Sequence, residues 1–180
     1  MSERLIREAL RAEFDALSRV MSCISAFPLL TTKLPLQRLA MIYAITSADF
    51  TPLVLRSKNE ISFRILQSYL AAFDARNRFS HLEKQSYFFE VSVGKEPRRE
   101  LLAFHWDRAQ LNEDAGPGPH MHLGAGILAS KSAFALKDFH RLHVPTGLIA
   151  LPHVIRFLIE ELSVEPIRSN WDEILANVLD

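Results

Sequence analysis

The sequence predicts an α+β protein: a small, mostly antiparallel sheet with a central hairpin at about residues 86–106, flanked by N-terminal and C-terminal amphipathic helices. Three observations lead to this prediction. Residues 3–20 repeat apolar side chains at spacings of three and four, which is typical of an amphipathic helix. Two β-rich runs, SYFFEVSV and ELLAFHW, are separated by the polar stretch GKEPRRE. A second helical pattern occupies ALPHVIRFLIEEL near the C-terminus.

The hairpin prediction rests on the turn residues between the two runs. Gly94 and Pro97 interrupt the pattern at the point where a chain reversal is needed. Residues 86–93 and 100–106 are therefore expected to pair as antiparallel strands.

Three further segments precede the hairpin. Pro35 suits an early helical position, so a helix is predicted over LQRLAMIYAI. EISFRI alternates polar and apolar residues as a half-buried strand does. The following LQSYLAAFDA has Leu66, Tyr69, Leu70 and Phe73 at helical spacing, which predicts a helix.

The C-terminal half is predicted to be largely helical. ASKSAFALKDFHRLH has a helical pattern, and a helix over residues 151–162 is expected to bury one apolar face. A last short helix begins at Asn170, which can cap it while Glu173 reaches back to the cap.

Length and composition indicate one domain over residues 1–180. Basic and acidic residues number 21 each, so no strong overall charge attracts nucleic acid or membrane. The single cysteine, Cys23, suits a reducing compartment, and no apolar run reaches the roughly 18–20 residues of a membrane span. A cytoplasmic protein without membrane association is the expectation.

Candidate chemistry concentrates in the stretch PHMHLGAG, residues 119–126. If this stretch is extended, His120 and His122 project from the same face, roughly 6.5–7 Å apart along the backbone. Two imidazoles so placed can chelate a divalent metal such as zinc, or act as acid and base. The preceding GPGP resists regular structure, and Gly124 and Gly126 allow the backbone to approach a ligand closely.

Other candidates lie near the end of the hairpin. His105 closes its second strand, and Asp107 follows on the same strand face, where it could orient an imidazole or complete a metal shell. Glu90 on the first strand is an alternative carboxylate. Arg108 could bind a phosphate or carboxylate. His140 and His143 share a face of the predicted helix, and their roles remain open.

The string HMHLGAGILAS is similar to part of the JAMM metalloprotease motif, in which a serine follows the second histidine by eight residues, here Ser130. That family's third ligand is an aspartate, which corresponds to Ala133 in this chain, and its proline corresponds to Leu123. Because the zinc site of the family would be incomplete, the chain is not assigned to it.

The order of segments also resembles small bacterial toxins of the TumE type. The shared layout is a Tyr-x-Phe-Glu strand, a charged hairpin, a second strand and a His-x-His segment, within roughly residues 86–124. The resemblance implies one member of a toxin–antitoxin pair that acts on RNA.

Two hypotheses about function follow. The first is a small hydrolase, in particular a nuclease acting on RNA or single-stranded nucleic acid, with His105, His120, His122, Asp107 and Arg108 in its site. In its metal-dependent form, the histidines are ligands. The second is a non-catalytic interaction protein encoded beside its protein partner, in which the histidines are structural.

Overall fold

The structure, a computed structural model, describes residues 2–31, 39–44, 52–94, 99–108, 118–124 and 143–178. Three helices are formed within these residues: α1 (Ser2–Met21), α2 (Leu151–Glu160) and α3 (Trp171–Ala176). The strands are β1 (Leu30–Thr31), β2 (Leu39–Ala44), β3 (Leu53–Val54), β4 (Ile61–Phe73), β5 (Phe79–Val93), β6 (Arg99–Asp107), β7 (His120–Leu123) and β8 (His143–Pro145).

All eight strands join one sheet in the order β1-β2-β4-β5-β6-β7-β8, with β3 paired to β4 beside this path. Every pairing is antiparallel. The prediction of an α+β chain with a mostly antiparallel sheet is confirmed, although the sheet is larger than the sequence patterns indicated.

The central hairpin is confirmed. β5 and β6 pair from Ser86 opposite Asp107 to Val93 opposite Arg99, with a register shift after Val91. β5 ends at Val93, and the next residue is Gly94, whose φ of 87° lies in the left-handed region that glycine adopts without a steric penalty. The remaining residues of the turn, 95–98, lie outside the described residues.

The helix predicted over LQSYLAAFDA is wrong, because β4 continues through it to Phe73. Ile65, Tyr69 and Ala71 are buried on one face, while the alternate residues Leu66 and Leu70 are partly buried on the other. A strand that carries apolar residues on both faces loses its period-two pattern. The apolar residues of this stretch are then spaced as they would be on one face of a helix.

The helix predicted over LQRLAMIYAI is also wrong where the structure describes it. Residues 39–44 form β2, which pairs with β4 from Leu39 opposite Leu70 to Ala44 opposite Ile65. A short, continuous apolar run fits a buried strand as well as a buried helix, and only its pairing partner distinguishes the two.

The terminal helices lie close to their predicted positions. α1 covers the predicted residues 3–20, and α2 ends at Glu160, two residues before the predicted end. α3 begins after Asn170, but the side chain of Asn170 makes no capping hydrogen bond, so the predicted capping box is wrong. The helix predicted over residues 129–143 lies outside the described residues except for His143, which begins β8.

One face of the sheet forms the hydrophobic core, and we call it the core face. Its fully buried members are Ile61, Phe63, Ile65, Tyr87, Phe89 and Val91. Apolar residues of all three helices join the same cluster, among them Leu17, Val20, Leu151, Leu158 and Leu175. The N–H of Ile149 donates to the phenol oxygen of Tyr87 over 3.2 Å and so ties the segment before α2 to the sheet.

The core also contains polar groups where α1 meets the sheet. Lys84 lies 5.9 Å from the ring centroid of Tyr69, and burial lowers the pKa of this lysine, with Glu13 of α1 opposing the shift. The phenol of Tyr69 donates to Gln67 Oε1 over 2.7 Å, and its burial raises its pKa. These groups face the helices.

The other face of the sheet carries the histidines, and we call it the histidine face. By the alternation of side chains along each strand, this face carries Arg64 of β4, Phe88 and Glu90 of β5, His105 of β6, and His120 and His122 of β7.

No helix in the described part of the chain is both long enough and apolar enough to cross a membrane.

Candidate metal centre

The pairing of β6 with β7 brings three histidines together. His105 lies directly opposite His120 in the register, and His122 follows two residues later on the same face of β7. The ring centroids of His120 and His122 are 4.7 Å apart. The ring of His105 lies 5.4 Å from that of His120 and 6.2 Å from that of His122.

The ring nitrogens converge as ligand atoms of a metal ion do. One nitrogen from each of His105, His120 and His122 lies within 4.8 Å of the others. In a tetrahedral zinc site with Zn–N bonds of about 2.0–2.1 Å, two ligand nitrogens lie roughly 3.3 Å apart. The Nε2 atoms of His120 and His122 are 2.8 Å apart, so a modest rotation of the rings would admit an ion.

A backbone hydrogen bond determines which ring nitrogen of His120 is available to bind a metal ion. Its Nδ1 lies 2.7 Å from the carbonyl oxygen of Gly118 and must carry the proton, because a carbonyl oxygen only accepts. Nε2 of the neutral ring therefore presents its lone pair toward His122. A carbonyl that holds the distal nitrogen in this way is the usual support of a metal-binding histidine.

The centre is shielded from water on the side of β7. His120 is 3% exposed, although histidine is a polar residue, and the neighbouring Ala103 is 2% exposed. His105 and His122 are partly buried. A buried imidazole needs a partner for each nitrogen, and His120 has the Gly118 carbonyl oxygen on one side and His122 on the other.

A charged pair lies beside the centre on the same face. Arg64 Nη2 donates to Glu90 Oε2, and the hydroxyl of Ser92 donates to Glu90 Oε1 over 2.8 Å. In the register, Glu90 stands opposite Ala103, which in turn stands opposite His122. The small side chain of Ala103 is the only one between the carboxylate and the imidazole in this row.

The remaining predicted site residues, Asp107 and Arg108, are not part of the convergent cluster. Asp107 is on β6, two residues beyond His105, and pairs with Ser86. Arg108 is half exposed and forms an ion pair with Glu83 of β5. Among the described residues, the convergent ligand atoms come from the three histidines alone.

Two histidines whose roles were open have different positions. His143 begins β8 and stands opposite His122 in the register. His140 lies outside the described residues, as does Gly126.

Gly124 approaches a neighbouring strand. A Cβ at this position would lie 1.9 Å from the carbonyl oxygen of Glu100, and the N–H of Gly124 donates to the Leu101 carbonyl oxygen over 2.7 Å. The glycine therefore lets the end of β7 contact β6, which helps to hold His120 and His122 beside His105.

Arg64 was not among the candidates from the sequence. The signal available was a single cation in the alternating strand EISFRI, and such a residue is usually solvated. Its partner, Glu90, is 26 residues away, and its ring neighbour Phe88 lies on another strand. Local patterns contain no information about that pairing.

Comparisons with protein-family models, with curated proteins and with solved structures find no match to this chain. Inferences about function therefore start from the geometry of the three histidines.

Proposed function

We propose that this chain is a metal-dependent hydrolase whose ion is held by His105, His120 and His122. The observation that supports the proposal is the convergence of one nitrogen from each ring within 4.8 Å. Imidazole suits zinc and neighbouring transition metals, and three histidines are the ligand set of several catalytic zinc sites. Zinc is the ion we expect.

The proposed activation of water follows from the charge of the ligands. Three neutral imidazoles leave the charge of a divalent ion uncancelled, and a zinc ion bound in this way lowers the pKa of a bound water to about 7. The protein's own contribution is to hold three nitrogens in a shielded site. The Gly118 carbonyl oxygen orients His120, and the pairing of β6 with β7 orients His105 toward it.

The substrate class proposed is a phosphodiester, in RNA or single-stranded nucleic acid, cleaved in the cytoplasm. The guanidinium of Arg64, on the histidine face, could bind a phosphate and supports the substrate class. The single cysteine, Cys23, is a free thiol buried in the core, which suits a reducing compartment and supports the location.

A binding assay tests the metal centre directly. Protein purified without a histidine tag and stripped with chelator should take up roughly one zinc ion per chain in isothermal titration calorimetry. The double variant His120→Ala/His122→Ala should take up none, because it loses two of the three ligands. His105→Ala should bind zinc more weakly than the wild type, which tests the third ligand independently of His120 and His122.

His81→Ala is the matched control. His81 is exposed on β5 and its Nδ1 contacts the Ser80 hydroxyl over 3.1 Å, so its loss should leave zinc uptake unchanged. Circular dichroism checks that each variant folds. If folded wild-type protein takes up no zinc, cobalt or manganese, the metal centre is refuted.

An activity assay tests hydrolysis separately. Zinc-loaded protein incubated with RNA and with single-stranded DNA should cleave at least one of them, and His120→Ala/His122→Ala should not. If the loaded protein cleaves neither and binds a protein partner whether or not the histidines are present, the alternative of a non-catalytic interaction protein is favoured.

A further inference from the structure

We infer that Arg64 is an oxyanion-binding residue beside the three-histidine centre, and that it, in place of Arg108, selects an anionic substrate. This inference rests on the proposed function for the identity of the substrate. The anion site itself depends on Arg64 and its neighbours.

Arg64 reaches toward the centre across one aromatic ring. Its Cζ lies 5.4 Å from the ring centroid of Phe88, and the ring of Phe88 meets that of His105 edge-on at 5.8 Å. A guanidinium stacked on an aromatic face keeps its donors in one plane and loses little freedom when it binds a planar or tetrahedral anion. The ring of Phe88 thus lies between the guanidinium of Arg64 and the imidazole of His105.

Arg64 has donors that its ion pair does not use. Glu90 engages Nη2, while Nε is buried and has no hydrogen-bond acceptor within the described residues. The hydroxyl of Ser62, two residues earlier on the same face of β4, is likewise buried and unpartnered among those residues. Buried donors without partners are costly, and an anion supplied by a ligand would satisfy them.

The electrostatic balance links this site to the metal. The Glu90 carboxylate offsets the charge of Arg64 and repels an anion, but it also holds the guanidinium through Nη2 while Ser92 holds the carboxylate. A divalent ion on three neutral imidazoles adds positive charge to the histidine face. Anion binding at Arg64 should therefore strengthen when the metal is bound.

Arg108 is less suited to this role. It is 48% exposed and its guanidinium forms an ion pair with Glu83. Ion pairs of exposed arginines are weak in water, so an anion would gain little free energy by binding there. Arg64 is 32% exposed, while its partner Glu90 is only 12% exposed. The more buried arginine gains more from each charge-assisted hydrogen bond.

The experiment measures binding of inorganic phosphate and of acetate by calorimetry, to zinc-loaded and zinc-free protein. Arg64→Gln should weaken phosphate binding by about tenfold or more, the loss of one charge-assisted hydrogen bond. Arg64→Lys should recover part of it, because a lysine keeps the charge and the pairing with Glu90 but lacks the planar fork. Preference for phosphate over acetate would identify a phosphate ester as the substrate class.

Arg156→Gln is the matched control. Arg156 is also 32% exposed, pairs with Asp172 over 2.6 Å and lies over the ring of Trp171 at 5.5 Å, but it belongs to α2, which packs on the core face. Its loss should leave phosphate binding unchanged.

The outcomes separate this inference from the metal proposal. Zinc uptake with phosphate binding that does not depend on Arg64 refutes the anion site and leaves the centre intact. Phosphate binding that depends on Arg64 in a protein that takes up no metal supports the anion site and refutes the centre. Wild-type protein that binds neither phosphate nor acetate at millimolar concentration refutes the anion site.

Discussion

Metal binding by His120 and His122 would displace the proton that their Nε2 atoms share. One of the two nitrogens must donate across the 2.8 Å that separates them. Since Nδ1 of His120 already carries a proton toward Gly118, the shared proton belongs to His122 when both rings are neutral. For Nε2 of His122 to bind a metal ion, that proton must move to Nδ1 of the same ring, so metal uptake by the two neutral rings changes the tautomer of His122 and should release no proton to the buffer.

Gly124→Ala tests whether the end of β7 holds the histidines in position. The added methyl would meet backbone atoms of Glu100 at 1.9 and 2.4 Å, so one of the strands must move. Overpacking of this kind costs about 1–3 kcal/mol of stability. Because ligand atoms need positioning within roughly 0.5 Å, zinc affinity should fall as well.

Gly147→Ala is the control for this substitution, because a Cβ there would meet nothing within 4 Å. Denaturant unfolding and zinc titration of the two variants provide the comparison. Equal stability and equal zinc affinity for the two would show that the contact between Gly124 and Glu100 has no influence on the centre.

The strand β7 has only four residues and is held by its neighbours. It pairs with β6 on one side and with β8 on the other. The position of the centre is therefore decided by the register of three strands. The helices act from the core face, where α1 contacts β5 and α2 contacts both other helices.

Leu158→Ala tests the packing of α2. Leu158 has no exposed surface and belongs to the cluster that α1 and the sheet share, so its truncation should cost about 2–5 kcal/mol in the free energy of unfolding. Leu148→Ala is the matched control, since Leu148 is 67% exposed. A midpoint of urea unfolding that is the same for both variants would contradict the packing described for α2.

The two faces of the sheet carry different groups, apolar core residues on one and the proposed ligands on the other. The core face collects the apolar residues of the helices, and the histidine face collects the imidazoles and the pair of Arg64 with Glu90. A ligand on the histidine face nevertheless stabilises the whole fold, because it binds only when β6 and β7 are paired.

Zinc should therefore raise the melting temperature. At about 100 times its Kd, a ligand stabilises the folded state by roughly 2.7 kcal/mol, and for a chain of this size the corresponding rise in Tm is about 5–10 °C. Differential scanning calorimetry measures it. The rise should vanish in His120→Ala/His122→Ala, and a rise that persists there would assign the zinc to another site.

Several parts of the fold and site follow from local sequence. The helical stripe of α1, the two runs of the central hairpin and the apolar face of α2 each repeat with the period of the element they form. The common face of His120 and His122 follows in the same way, from alternation along an extended strand.

Other parts depend on contacts between distant residues. Whether residues 66–73 form a helix or a strand was decided by pairing with β5, because apolar residues on both faces hide the strand period. The same applies to β2, whose apolar run fits either structure until β4 lies beside it.

Local sequence thus predicts the pair of histidines on β7 and the hairpin whose second strand carries His105. Pairing across the sheet places His105 opposite His120 and Arg64 beside Glu90. Side-chain periodicity shows which face of a strand a residue occupies, because successive side chains point to opposite faces. The register between strands is set by hydrogen bonds and packing across the sheet, and no local pattern contains it.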